Sequence, residues 1–314
     1  MFIEKSNRSL KGEITVPSDK SISHRAIILG ALAKGETIIE NILLSEDLLH
    51  TIDCFRQMGV NIEIYDNKLI IQGVGLYGFK KPEGPIDCGN SGTTMRLLAG
   101  ISVAQDFSST LIGDSSLMKR PMKRIISPLS KMGANIIGKD GEYPPLAIES
   151  AGALNGITYE LPLASAQVKS SILLASLYAN GESKIIENKI TRDHTERMLN
   201  YFGQEVLKNG NEIIVNNKQD LVGKELFIPG DISSASFLMA AATLIEDSHI
   251  IIKNVGINPT RSGILEILDK MGQNIKVRNK RLVNNEPIGD MEIKHAPLKA
   301  CIIEGEIIGR LIDE

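Results

Sequence analysis

The sequence predicts a mixed α/β chain (α+β) built from one repeated helix-and-strand unit, and three observations carry that prediction. One phrase recurs as "FRQMGVNIEI", "LSKMGANIIG", "LNYFGQEVLK" and "LDKMGQNIKV", with its glycine at Gly59, Gly133, Gly203 and Gly272, in steps of 74, 70 and 69 residues (133−59, 203−133 and 272−203). A second phrase is interleaved as "SISHRAIILGALAKGETIIENI", "SAQVKSSILLASLYANGESKIIENKI" and "ISSASFLMAAATLIEDSHIIIKNV", with "NSGTTMRLLAGISVAQDFSSTLIG" as a looser copy. Finally, 42% of the residues are hydrophobic but only 4% are aromatic and none is Trp, so the cores must be packed from aliphatic side chains, as suits helices layered on sheets.

Each copy of the first phrase reads as an amphipathic helix stopped by a C-terminal glycine and followed by a short β-branched strand. Each copy of the second reads as serines ahead of an apolar helix, then a polar turn, then an Ile/Val strand. A period near 70 exceeds the roughly 20–50 residues of solenoid repeats. The unit therefore holds about two helices and four strands, with apolar helix faces turned inward. "AIILGALA", residues 26–33, is apolar nearly all round, which predicts burial on every side. After "ACIIEGEIIG", residues 300–309, which reads as a strand, the pattern calls for another buried helix, but "RLIDE" follows. The expectation is a chain truncated from something longer, with completion by a partner as the alternative.

Composition excludes several functions. A net charge of −3, from 35 basic and 38 acidic residues, supplies no field to hold a nucleic-acid backbone. Cys54, Cys88 and Cys301 form no CxxC pair and no His cluster accompanies them, so neither a zinc site nor a disulfide framework is indicated, and a reducing cytoplasm fits. "MFIEKSNRSL" lacks the apolar centre of a signal peptide, and runs such as "FLMAAATLI" reach about half of the roughly 18 residues a membrane span needs. The expectation is a soluble protein with no membrane partner.

The chemistry concentrates at helix starts. In "VPSDKSISHR", residues 16–25, the serines can cap the helix for about 1 kcal/mol, yet Lys20 and Arg25 beside a helix N-terminus also suit a phosphate or carboxylate. The arrangement returns in "CGNSGTTMR", where Asn90, Gly92 and Thr93 present donors with Arg96 one turn on. It returns again in "LASAQVKSS", which opens a helix with Ser165 and Gln167. "SSLMKRPMKR" gathers Lys119, Arg120, Lys123 and Arg124 around Pro121; a solvated basic face is the plainer reading of that run alone. No GxxxxGK[ST], strand-linked GxGxxG or HExxH motif is present, so the predicted chemistry is free of metal and cofactor and works by positioned charge and proton transfer. His24 and His194 read as hydrogen-bonded structural residues, Cys88 as buried, and Asp47 as a helix-start carboxylate that could orient a cleft residue.

Taken together and in order, "PSDKSISHR", "GNSGTTMR", "MKRPM", "SAQVKS" and "GDISSASF" resemble the 5-enolpyruvylshikimate-3-phosphate synthases, along the whole chain. The resemblance implies two domains of three βαβαββ units each, an inside-out α/β barrel, of which this chain holds four units and the start of a fifth. The first domain is expected at residues 18–229, binding shikimate 3-phosphate; the second, incomplete, takes residues 1–17 and 230–314. Asp231 and the serines of "GDISSASF" are expected to cap a helix at the second crossing.

The implied reaction moves the enolpyruvyl group of phosphoenolpyruvate to the 5-hydroxyl of shikimate 3-phosphate, in chorismate and aromatic amino acid synthesis. By motif position Lys20 touches phosphoenolpyruvate and both substrates meet there, while Ser21 and Arg25 bind shikimate 3-phosphate. Gly92 and Arg120 take phosphoenolpyruvate, where glyphosate would compete, with Asn90 in the same loop. Ser165 and Gln167 hold shikimate 3-phosphate, with Gln167 reaching phosphoenolpyruvate as well, Thr191 stands where serine is common, and Arg192 adds a phosphate contact. Asp313 matches the carboxylate that takes the proton from the attacking hydroxyl, and as the penultimate residue it is expected to be poorly held. Ala166 departs from a second substrate-binding serine. A cytoplasmic monomer is implied. Two alternatives stand beside this: a fragment that binds shikimate 3-phosphate without turnover, and a UDP-N-acetylglucosamine enolpyruvyl transferase, which the Lys20–Ser21 pair and the absence of Cys at residues 115–121 disfavour.

Overall fold

The computed structural model describes residues 8–150, 152–216 and 219–314. Its elements fall into four copies of one β-α-β-α-β-β order. The first copy runs β1 (Lys11–Ile14), α1 (Lys20–Leu32), β2 (Lys34–Glu40), α2 (Glu46–Gln57), β3 (Asn61–Tyr65) and β4 (Lys68–Val74). The second runs β5 (Ile86–Asp87), α3 (Gly92–Ser102), β6 (Ser109–Ile112), α4 (Lys123–Lys131), β7 (Asn135–Lys139) and β8 (Tyr143–Glu149). The third runs β9 (Thr158–Glu160), α5 (Ala166–Ser176), β10 (Glu182–Ile186), α6 (His194–Phe202), β11 (Val206–Asn209) and β12 (Glu212–Asn216). The fourth runs β13 (Glu225–Phe227), α7 (Ile232–Leu244), β14 (His249–Gly256), α8 (Gly263–Lys270), β15 (Lys276–Val283) and β16 (Glu286–Lys294).

Local sequence dictates much of this. The four recurrent glycines end α2, α4, α6 and α8 with φ of 86°, 97°, 104° and 98°, a left-handed conformation that a Cβ would oppose. The hairpins that follow turn on short polar pairs with positive φ, such as Asp140 (55°) with Gly141 (73°) and Asn284 (50°) with Asn285 (63°), which match the twist of the flanking strands.

Among the described residues there are four four-stranded sheets, ordered β13-β2-β4-β3, β5-β6-β8-β7, β9-β10-β12-β11 and β1-β14-β16-β15. In each, the leading pair is parallel and the other two are antiparallel. The first and fourth copies have exchanged leading strands: β1 precedes α1 in sequence yet pairs with β14, and β13 precedes α7 yet pairs with β2.

Contacts separate the chain into two compact units, one of Lys20–Lys189 with Asp193–Phe227 and one of Met1–Asp19, Ile190–Arg192 and Ile228–Glu314. In the larger unit α1, α3 and α5 are buried along almost their whole length, as their all-round apolar character requires. α3 and α5 approach so closely that a Cβ on Gly100 would lie 2.3 Å from the Ser171 carbonyl oxygen. In the smaller unit α7 packs Ile232, Ala235, Met239 and Ala242 on β14 and β16, while Phe237 and Leu244 stay exposed. The two chain crossings are zipped together there: the Asp19 amide donates to Pro229 O (2.8 Å) and the Asp231 amide to Pro17 O (2.9 Å).

One strand expectation fails. Residues 300–304 form no strand and Gly305–Arg310 is a 3-10 helix, with Ile302 80% exposed. Every leading strand in this fold is held by the second strand of a repeat, as β5 is by β6 and β9 by β10, and no such strand is available to these residues among those described.

Candidate functional site

The N-terminal turns of α1, α3 and α5 meet through side-chain bonds. From α1, Arg25 is buried and reaches both neighbours: Nε donates to Thr195 Oγ1 of α6 (2.6 Å), Nη2 to Ser170 Oγ of α5 (2.9 Å) and Nη1 to the Ser21 carbonyl (2.9 Å). Its next-door neighbour His24 is buried with Nδ1 against Thr51 Oγ1 (2.8 Å). Thr51 meets Thr94 Oγ1 (2.7 Å), and Thr94 donates to Ser91 Oγ (2.7 Å), the N-cap of α3. His24 is thus a structural residue in this sense, tying three helices. Lys20 opens α1 and pairs with Asp47 Oδ2 of α2 at 3.0 Å.

Next to Ser170 in α5 stands Lys169, fully buried, with Glu187 at 2.9 Å and Glu196 at 2.6 Å. Burial pushes its pKa down, but the two carboxylates outweigh that and leave it raised. Ser165 caps α5.

The start of α3 is a second cationic focus. Gly92 is its first residue, and a Cβ there would lie 2.8 Å from Arg96 Nη1 and 3.3 Å from Arg120 Nη1, so both guanidinium groups face the space that glycine leaves open. Asn90 carries Arg120: its Oδ1 accepts from Arg120 Nη2, while its amide donates to Asp114 Oδ2 (2.6 Å). Asp114 is anchored by the amides of Leu117 (2.7 Å) and Ser116 (3.0 Å), and these bonds, the Leu117 amide foremost, hold its carboxyl below the usual range. Gln167 spans α5 and α3, its Oε1 accepting from Arg96 Nη1 (2.6 Å) and its Nε2 donating to Thr93 Oγ1 (2.9 Å).

Arg96 is 8% exposed, yet no carboxylate pairs with it among the described residues, and its Nε is buried without a hydrogen-bond partner. Desolvation first, then Arg124 and Arg120, lower its pKa to about 10. Keeping it charged there costs the fold on the order of 3 kcal/mol. Cations at the starts of α1 and α3 with Arg120 beside them, and the polar side chains that open α5, make an arrangement suited to small polyanions.

Of the sequence-predicted residues, Lys20, Ser21, Arg25, Asn90, Gly92, Arg120, Ser165 and Gln167 lie in the larger unit. Thr191, Arg192 and Asp313 belong to the smaller one, where Arg192 Nη2 donates to Asp313 Oδ2. In place of a poorly held end, Asp313 has a guanidinium partner, and the next side chain, Glu314, accepts from Ser233 Oγ (2.6 Å). Asp231 caps α7 through the Ser233 amide, and Cys88 is buried. Sequence reasoning placed Arg96 in the motif but left it out of the site, and missed Asp114, Lys169 and Thr195. The available signal was spacing. Gly92 to Arg96 is one helical turn, as is Ser21 to Arg25, and helical side chains lean back over the preceding turn, which returns both arginines to their helix starts.

Fold and site together define a protein of α/β repeats that gathers the starts of buried helices into a receptor for small anionic metabolites. The EPSP synthase (3-phosphoshikimate 1-carboxyvinyltransferase) family profile matches residues 4–306. A 3-phosphoshikimate 1-carboxyvinyltransferase of Legionella pneumophila (strain Lens) is 51% identical over 314 residues, covering 100% of this chain and 72% of that protein. One from Brevibacillus brevis is 50% identical over 308 residues, covering 98% of this chain and again 72% of the relative. The EPSP synthase structure from Acinetobacter baumannii superposes with a TM-score of 0.92 at 47% identity, over 98% of this chain and 70% of that one. The chain belongs to the EPSP synthase family.

Proposed function

We propose that this chain carries the 3-phosphoshikimate 1-carboxyvinyltransferase reaction, joining the 5-hydroxyl oxygen of shikimate 3-phosphate to the enol carbon of phosphoenolpyruvate and releasing phosphate. The observation that carries the reading is the meeting of three helix starts around Arg25, Arg96 and Arg120 in a chain of this family. Both substrates bear a phosphate and a carboxylate, which such a receptor suits. Lys20, Ser21, Arg25, Ser165 and Gln167 hold shikimate 3-phosphate in this reading, with Thr191 and Arg192 as further contacts. Lys20, Asn90, Gly92 and Arg120 take phosphoenolpyruvate, and Asp313, steadied by Arg192, accepts the hydroxyl proton. The protein works as a cytoplasmic monomer; among the described residues no helix is long and apolar enough to cross a membrane.

Titration calorimetry with shikimate 3-phosphate, run beside a phosphate-release assay with both substrates, tests this. Saturable binding that Arg25→Ala abolishes is expected, together with phosphate release. Absence of binding overturns the reading; binding without release reduces it to a shikimate 3-phosphate-binding chain.

A further inference from the structure

Buried cations need compensation, and carboxylates supply it directly for two of them. Lys169 has Glu187 and Glu196, and Arg261 has Asp19 at 2.7 Å and Asp231 at 2.9 Å. Arg96 is nearly as buried and has an amide oxygen, that of Gln167, and a long contact to the Gly92 carbonyl. A charge left in this state costs the fold until something else completes it.

Its geometry says what that is. Nη1 converges with Arg120 Nη1 on the space above Gly92, and Nε is a buried donor with nothing to receive it. The Arg96–Gln167 bond also fixes the amide of Gln167. With Oε1 accepting from Arg96 and one Nε2 proton given to Thr93, the orientation of the amide is set and its second Nε2 proton remains as a donor. The buried Arg96 Nε–H and the second Nε2 proton of Gln167 are thus both donors at this helix start.

We propose that Arg96 is a second guanidinium of the anion pocket above Gly92, held in place by Gln167 and neutralised by the phosphate or carboxylate that enters, so that it selects for anionic ligands. The proposal rests on the anion-binding reading above and assigns it a residue. Its low pKa fits a group that gains when an anion arrives.

The test is a nitrogen-15 spectrum of arginine Nε–H groups in the wild-type chain, with the Arg96 signal assigned from its loss in Arg96→Lys, titrated with phosphoenolpyruvate and, separately, with inorganic phosphate. The Arg96 Nε–H resonance is expected to move downfield in step with binding. Arg96→Met is expected to raise the Kd for phosphoenolpyruvate at least tenfold, with Arg96→Lys between the two. A ligand that binds while the Arg96 resonance stays still overturns the proposal and leaves the proposed function standing. Failure of the wild-type chain to bind any of shikimate 3-phosphate, phosphoenolpyruvate or phosphate overturns both. If Arg96→Met does not fold, the wild-type spectrum alone decides.

Discussion

Lys169 and Arg96 are both buried cations of the three-repeat unit, and the chain treats them in opposite ways. Lys169 sits between two carboxylates 2.6 and 2.9 Å away, so its charge is settled by the protein and serves to hold α5 and α6 where Ser170 and Thr195 can cradle Arg25. Arg96 sits at the start of α3 among other arginines, its pKa lowered to about 10, with an amide as its closest partner. The difference separates a cation used for architecture from one reserved for a ligand.

The comparison breaks most visibly at Lys169. Lys169→Met strands Glu187 and Glu196 in the core, and removing one member of a buried ion network costs about 3–5 kcal/mol. The expected result is a fall in melting temperature of roughly 6–20 °C, read by calorimetry. Restoring neutrality with Glu187→Gln and Glu196→Gln in the same chain should recover much of it. Arg96→Met should do the reverse, leaving the ligand-free chain as stable or up to about 6 °C more stable while anion binding falls. A lower melting temperature for Arg96→Met would remove the distinction.

Alkaline pH sharpens the contrast. Because the folded pKa of Arg96 lies below its unfolded value, its cost is fully present below about 10 and relieved above it. The stability advantage of Arg96→Met over wild type should therefore shrink as pH rises through about 10, in melts run from pH 8 to 11. Lys169 is shifted the other way: its contribution is present below its unfolded pKa and lost only as pH climbs past its raised folded value. The smallest effect is expected at Asp114, which acts on Arg120 through Asn90. Asp114→Asn should weaken phosphoenolpyruvate binding a few-fold with the melting temperature nearly unchanged, measured by calorimetry.

The repeat was legible because it is written in local rules. Gly59, Gly133, Gly203 and Gly272 are required by left-handed helix ends, and the serines before α3 and α5 are caps whose bonds the structure contains. What depends on distant partners was not legible. The residues of β1 and β13 do not themselves say that each pairs outside its own repeat, since parallel strand choice is set by tertiary neighbours; that expectation comes only through the resemblance, which assigns residues 1–17 to the second domain and 225–227 to the first. The run at 300–304 has strand composition without a strand to pair with. α7 has the same apolar character as α1, yet Phe237 is 78% exposed, because burial belongs to surroundings and not to the helix. Arg96 was visible as a letter but not as a solitary charge, which emerges only when α5 delivers an amide in place of an acid.

The exchange of β1 and β13 has a consequence for synthesis on the ribosome. β1 emerges first but has its pairing partner at His249–Gly256, so it must wait for most of the chain to be translated. β2, meanwhile, offers an open edge until Glu225–Phe227 appears to close it. The nascent chain therefore carries a bare strand edge for a long stretch of elongation, the kind of surface on which chaperones act and stray pairing begins.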